Sequence, residues 1–269
     1  DCDRIGVQAQ TPGAAYKLLT GNQVGLLLCD YIITAQAQQG RLLPNAAVIK
    51  TIVTSDLAKQ ICKAGGVALY EVLTGFKYIG EQISIWKKTG QHSFLFGFEE
   101  SCGYLKGDFV RDKDAVQAAA LIAEMALYHK LQGRTLWQAL DALYARYGYS
   151  AEKLITVTLP GQMGQDQIRR IMSRFQQEYP ILLAGQGIEA FEDYEQGVRT
   201  EPATGQSRPL HLPKSEVLKC IFTDGSWIAL RPSKTEPKIK LYLAAMGRDE
   251  PDTQNRLTQL EALLRAVVQ

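Results

Sequence analysis

Apolar residues stripe the segment NQVGLLLCDYIITAQAQ at helical spacing. The segment AAVIKTIVT after it is a short apolar run that predicts a buried strand. Ser55 stands where a cap would start a helix over DLAKQICKA, and Gly65 and Gly66 would stop it. VALYEVL reads as the next strand, a Thr-Gly turn follows, and FKYIGEQISIWKK is helical. SFLFGF is a third strand, ending in the loop EESCGYLKGD, and the long helix KDAVQAAALIAEMALYHKLQ closes the series at Gly133. Strands separated by helices of this length predict a three-layer α/β domain with a largely parallel, mixed sheet. Ligands of such sheets bind beyond the carboxyl ends of the strands, which singles out loops 74–77 and 98–108.

The rhythm then changes. The helix LWQALDALYARY, capped by Thr135, ends at Gly148. ITVTL is a strand, QDQIRRIMSRFQQEY an amphipathic helix, and residues 185–215 are rich in Gly, Pro and charge. WIAL and IKLYL read as strands flanking a turn, and TQNRLTQLEALLRAVV is a last helix. Strands grouped between two helices predict a smaller α+β domain with an antiparallel sheet, and a boundary near residue 150.

Composition excludes several classes. Hydrophobic residues make up 46% and charged residues 22%, as in soluble globular proteins. A net charge of +2 gives no ground for a nucleic-acid partner. The apolar runs are too short to span a bilayer and no signal peptide opens the chain, so no membrane association is expected. Five cysteines are scattered singly without a CxxC, which predicts reduced thiols and a cytoplasmic location. Three histidines lie far apart with no ligand spacing. The chain begins DCDRIGVQ, without Met and in what reads as a loop running into a strand, so a preceding segment is expected.

Five stretches carry possible chemistry. Asp1 and Asp3 could turn two carboxylates toward one hard cation such as Mg²⁺, or form an exposed acidic turn, and Arg4 could bind an anion or pair with them. Thr74 and Gly75 end a predicted strand, where Thr74 could meet a ligand or cap a helix. Glu99 and Ser101 could offer a carboxylate and a hydroxyl to vicinal sugar hydroxyls, or form a flexible acidic turn. Lys113 stands at the start of a helix, where the dipole prefers Asp112 and Asp114 and a cation hints at an anionic ligand. RPSKTEPKIK is the densest set: Arg231 can fork onto phosphate, Ser233 and Thr235 can donate, and Pro232 and Pro237 stiffen the turn. A solvated hairpin turn is its other reading.

Together and in order, DCDR, TIVTSD, YEVLTGFKYIG, GFEESCGY, VRDKDA and RPSKTEPKIK resemble the α-D-phosphohexomutase family, most closely its phosphoglucomutases, over nearly the whole chain. The resemblance implies the last part of a four-domain enzyme: residues 1–14 as the end of a metal-binding second domain, 15–150 a third α/β domain with sugar-recognition loops, and 151–269 a C-terminal phosphate-binding domain. It implies interconversion of glucose 1-phosphate and glucose 6-phosphate through a phosphoserine, Mg²⁺ and a glucose 1,6-bisphosphate intermediate. It assigns metal binding to Asp1 and Asp3, substrate binding to Arg4, Thr74, Glu99, Ser101 and Lys113, and phosphate binding to Arg231, Ser233 and Thr235. The serine-bearing domain and the first metal aspartate match nothing here, so no catalytic residue is assigned and residues 1–269 alone are expected to be inactive. Lys234 stands where the family pattern has glycine. A phosphomannomutase specificity and a non-catalytic phosphosugar-binding module are the alternatives. The expected partners are a hexose phosphate and the N-terminal domains of the same protein.

Overall fold

In this computed structural model the described residues are 2–159, 161–233 and 235–268. The chain divides after Gly148 into two compact units. The first begins with a hairpin of β1 (Val7–Gln10) and β2 (Tyr16–Leu19). Next come α1 (Gly21–Gln38), β3 (Ala46–Thr51), α2 (Leu57–Ala64), β4 (Ala68–Val72), α3 (Phe76–Thr89), β5 (Ser93–Glu99), β6 (Gly103–Lys106), α4 (Ala115–Leu131) and α5 (Leu136–Tyr147). The main sheet has the order β4-β3-β5-β6, with β3 parallel to β4 and β5, and β6 antiparallel at the edge.

Every residue of β3 is buried, as a strand covered on both faces must be. Ala47 and Ile49 pack with Phe76, Ile79, Ile83 and Trp86 of α3, so pleat alternation turns Val48 and Lys50 the other way. That second face belongs to α1, where a Cβ on Gly25 would collide with the Phe98 ring. A register shift between β3 and β5 changes which side chains face α3. Phe94 and Gly97 meet that helix side, whereas Phe98 meets α1.

Local boundaries depart from the expectations in three places. Ser55 does not cap α2: Asp56 stands at the N-cap, makes no side-chain cap bond, and the Ser55 amide donates to Asn22 Oδ1 at 3.1 Å. Lys113 precedes α4 rather than starting it, because Asp114 takes the cap and accepts from the Gln117 amide at 3.0 Å. The stretch after β5 contains a strand, so its loop contracts to a tight turn from Glu99 to Gly103.

The second unit holds β7 (Tyr149–Thr158), α6 (Gln162–Leu182), β8 (Ile188–Asp193), β9 (Val198–Glu201), β10 (Gln206–Pro209), β11 (Leu218–Phe222), β12 (Trp227–Pro232), β13 (Lys238–Gly247) and α7 (Glu250–Val268). Seven antiparallel strands run in the order β10-β9-β8-β11-β12-β13-β7. Phe175 of α6 and Leu260 and Leu264 of α7 share one core with Cys220, Ile228, Leu230, Leu241 and Leu243. The helices therefore cover one face, and Arg231 of β12 and Lys240 of β13 alternate onto the other. No helix among the described residues is long and apolar enough to cross a membrane.

Candidate functional site

In the first unit the predicted residues gather beyond the carboxyl end of β5. Glu99 ends that strand, and Cys102, held at a φ of 63°, helps turn the chain back into β6. Glu99 is buried, and Ser101 Oγ donates to its Oε1 at 2.8 Å. The pair thus forms a preset acceptor and hydroxyl. Gly103 faces Glu99 across the turn, where an added Cβ would lie 2.6 Å from the Lys113 Cδ and 2.9 Å from the Glu99 Cγ. Only glycine leaves room for the lysine stem to pass beside the carboxylate.

Lys113 reaches back from the head of α4 to Asp3, with Nζ 3.1 Å from Oδ2, and to Asp112 Oδ1 at 3.2 Å. Its ammonium lies 5.7 Å from the centre of the Phe76 ring. Burial pushes the ammonium pKa down, but hydrogen bonds to Asp3 and Asp112 and the nearby Glu99 charge outweigh it, so Lys113 is held above its ordinary value. The Lys113 bond holds the Asp3 carboxyl below its usual range. Arg4 lies at the edge, with Nε 4.0 Å from Asp3 Oδ2. The N-terminal segment is stitched to the head of α4 by Ala115 N to Cys2 O (3.0 Å) and to the turn before β6 by Ile5 N to Cys102 O (3.2 Å).

Asp3, Arg4, Glu99, Ser101 and Lys113 are therefore brought together. Thr74 sits just past β4, followed by Gly75 at a φ of 114° and then by Phe76, whose ring lies under Lys113. Asp1 and Lys234 lie outside the described residues. Mg²⁺ wants several oxygen ligands in near-octahedral array. Asp3 offers one carboxylate, already paired through Oδ2 with an ammonium, and the described residues hold no group of three or more metal-ligating side chains. The described residues alone do not fit that ion.

In the second unit, Arg231 lies at the turn end of β12, and its register partner on β13 is Lys240. Two cations directly opposite one another repel, which an anion would relieve. The turn between them is fastened by Ser233 N to Lys238 O (2.8 Å) and Leu159 N to Pro237 O (2.9 Å). Lys238 Nζ donates to Glu236 Oε1 at 2.9 Å, so that cation is partly neutralised within the turn. Ser233 is half-buried and Thr235 exposed. Lys240 belongs to this site by register, and the sequence reading did not single it out.

A second overlooked feature is Lys50, fully buried and paired with Asp56 Oδ1 (2.8 Å) and Glu71 Oε1 (2.7 Å).

A family model described as phosphoglucomutase/phosphomannomutase, alpha/beta/alpha domain III, matches residues 20–147. The phosphoglucomutase of Staphylococcus epidermidis is 39% identical over 244 residues, covering 91% of this chain and 43% of that protein. The Staphylococcus aureus enzyme of the same name is 37% identical over 261 residues, 97% of this chain and 46% of the relative. The chain thus spans less than half the length of these curated relatives. Among solved structures, the open form of pp63/parafusin, a phosphoglucomutase from Paramecium, superposes with a TM-score of 0.69 at 19% identity, covering 100% of this chain and 43% of that one. An Aspergillus fumigatus N-acetylphosphoglucosamine mutase, solved with GlcNAc-6P and magnesium, gives 0.51 at 14% identity, with 100% and 48% covered. At these identities the likeness is one of fold.

Proposed function

The chain belongs to the α-D-phosphohexomutase family, and from that premise we propose that it supplies sugar and phosphate recognition for a phosphoglucomutase. The reaction is interconversion of glucose 1-phosphate and glucose 6-phosphate through a phosphoserine and a glucose 1,6-bisphosphate intermediate, with Mg²⁺ in the complete enzyme. Residues 1–14 belong to a metal-binding second domain, 15–150 to a sugar-reading third domain and 151–269 to a phosphate-anchoring fourth. A cytoplasmic setting accords with five free cysteines.

The observation that carries this reading is the convergence at Gly103 of the Glu99 and Lys113 side chains, with the Ser101 hydroxyl bonded to Glu99. A buried carboxylate with a bonded hydroxyl beside it accepts from vicinal sugar hydroxyls. The adjacent ammonium supplies a fixed positive charge for an anionic sugar. Arg231, opposed by Lys240, presents a guanidinium fork for a phosphate in the second unit, with Ser233 and Thr235 as hydroxyl donors. Thr74 and Arg4 complete the substrate contacts in the first.

Titration of the 269-residue chain with glucose 1-phosphate, glucose 6-phosphate, glucose and inorganic phosphate tests the reading. Both hexose phosphates are expected to bind more tightly than either part alone. Glu99→Gln and Lys113→Met remove contacts worth about 1.5–3 kcal/mol each, roughly ten- to a hundredfold in affinity. Equal affinity for phosphate and hexose phosphate would sink the sugar assignment. In a coupled assay the same chain is expected to give no mutase turnover with glucose 1-phosphate, Mg²⁺ and glucose 1,6-bisphosphate. Turnover above a blank would show that the phosphoryl donor lies within these residues.

A further inference from the structure

TIVTSD, the stretch joining β3 to α2, is part of the family likeness but has no role in the recognition just described. It is built at unusual cost. Lys50 is withdrawn fully from water, and its ammonium donates to the carbonyl oxygens of both Thr51 (3.3 Å) and Thr54 (3.1 Å) while pairing with Asp56 and Glu71. A buried cation is thereby used to fix the backbone of one short turn.

That turn presents two hydroxyls. Thr51 and Thr54 are both fully buried, with their Oγ1 atoms 2.7 Å apart. Both oxygens lie 3.5 Å from the same atom, Oε2 of Glu100. Two hydroxyl hydrogens serve three oxygens: one closes the threonine pair, and the other is left for the carboxylate. Glu100 is the second residue of the Glu99–Gly103 turn, between the two proposed sugar-reading residues. On its backbone side the turn is backed by α1, where a Cβ on Gly21 would collide with the Glu100 carbonyl oxygen and lie 2.7 Å from the Cys102 nitrogen. Tyr104 Oη donates to the Gly21 carbonyl at 3.0 Å, fixing the far end.

We propose that Glu100 is a positioning residue: through the Thr51–Thr54 hydroxyl pair it sets where Glu99 and Ser101 stand for the sugar. Glu99 uses its carboxylate on Ser101 and lies beside Lys113, whereas Glu100 turns toward the buried threonines. The two neighbouring glutamates divide the work, one reading the ligand and the other holding the turn. The sugar half of this inference rests on the proposed function; the hold itself does not.

The test separates the two. Amide hydrogen exchange of residues 100–104 is measured in the 269-residue chain, in Glu100→Ala, in Glu100→Gln and in the Thr51→Val/Thr54→Val pair. Exchange in that turn is expected to speed up about tenfold or more in Glu100→Ala and in the threonine pair. Glu100→Gln, which keeps an acceptor oxygen, should stay close to the parent. Glucose 6-phosphate affinity should fall by up to about tenfold in Glu100→Ala, the size of one lost hydrogen bond, while inorganic phosphate affinity stays unchanged. Unchanged exchange in both Glu100→Ala and the threonine pair overturns the proposal. Loss of both affinities together overturns the positioning role in favour of general damage. A parent chain that binds no hexose phosphate refutes the sugar reading, and the exchange data still decide the hold.

Discussion

Between Asp3 and Lys113 an ion pair ties the N-terminal segment to the head of α4. The Asp3 carboxyl is lowered chiefly by its Lys113 bond, and Lys113 is raised against its burial by Asp3 and Asp112. A lowered acid contributes stability above its unfolded pKa, about 3.9, and loses it as pH falls through the lower folded value. A raised lysine contributes below its unfolded pKa, about 10.4, and loses it as pH rises past the folded value. The pair is therefore complete between about pH 5 and pH 9. Asp3→Asn should lower the melting temperature by a constant amount across that window. The difference should begin to shrink below about pH 4 and close only as pH falls through the lowered folded value, where the parent too loses the charge. A gap that persists undiminished at pH 3 would mean that Asp3 acts through something other than its charge.

At the scale of elements, the β12–β13 hairpin shows how a site can be half legible. Its turn residues Arg231, Ser233 and Thr235 stand out by composition alone. Lys240 looks like one more member of an alternating strand until the register sets it opposite Arg231. Lys240→Gln should relieve about 0.2–1 kcal/mol of like-charge repulsion in the ligand-free chain. The same change should reduce the rise in melting temperature on adding phosphate, because the anion then meets one cation fewer. A variant that is less stable without phosphate and equally responsive to it would remove Lys240 from the site. Lys50 was hidden for a related reason. Its register partner is Glu71, on a parallel strand reached only after a helix, and its nearer partner, Asp56, stands at the start of α2, where an acid reads simply as a helix-start residue. Strands β9 and β10 were illegible because their residues are evenly half-buried or evenly exposed, leaving no period of two to read. The buried strands β3 and β5 and the long helices, with cores behind them, were plain.

Across the whole chain, the two units own separate cores: Trp86, Ile79 and Ile49 in one, Phe175, Leu241 and Leu264 in the other. The cut after Gly148 falls between α5 and β7, and each sheet is completed within its own unit. Two such bodies are expected to melt as two cooperative transitions, since two-state behaviour is a property of single domains. Truncating a buried leucine costs about 2–5 kcal/mol, and at these sizes each kcal/mol moves a midpoint by roughly 2–8 °C. Leu241→Ala, at a fully buried position in β13, should move one calorimetric transition down by about 5 °C or more. Ile79→Ala, equally buried in α3, should move the other. Hexose phosphate complicates this in an informative way: a ligand held only by the first unit raises only the transition that Ile79→Ala lowers. Inorganic phosphate held by Arg231 and Lys240 raises the other. A single transition, displaced equally by either substitution with no ligand present, would show that the two cores fold as one cooperative body.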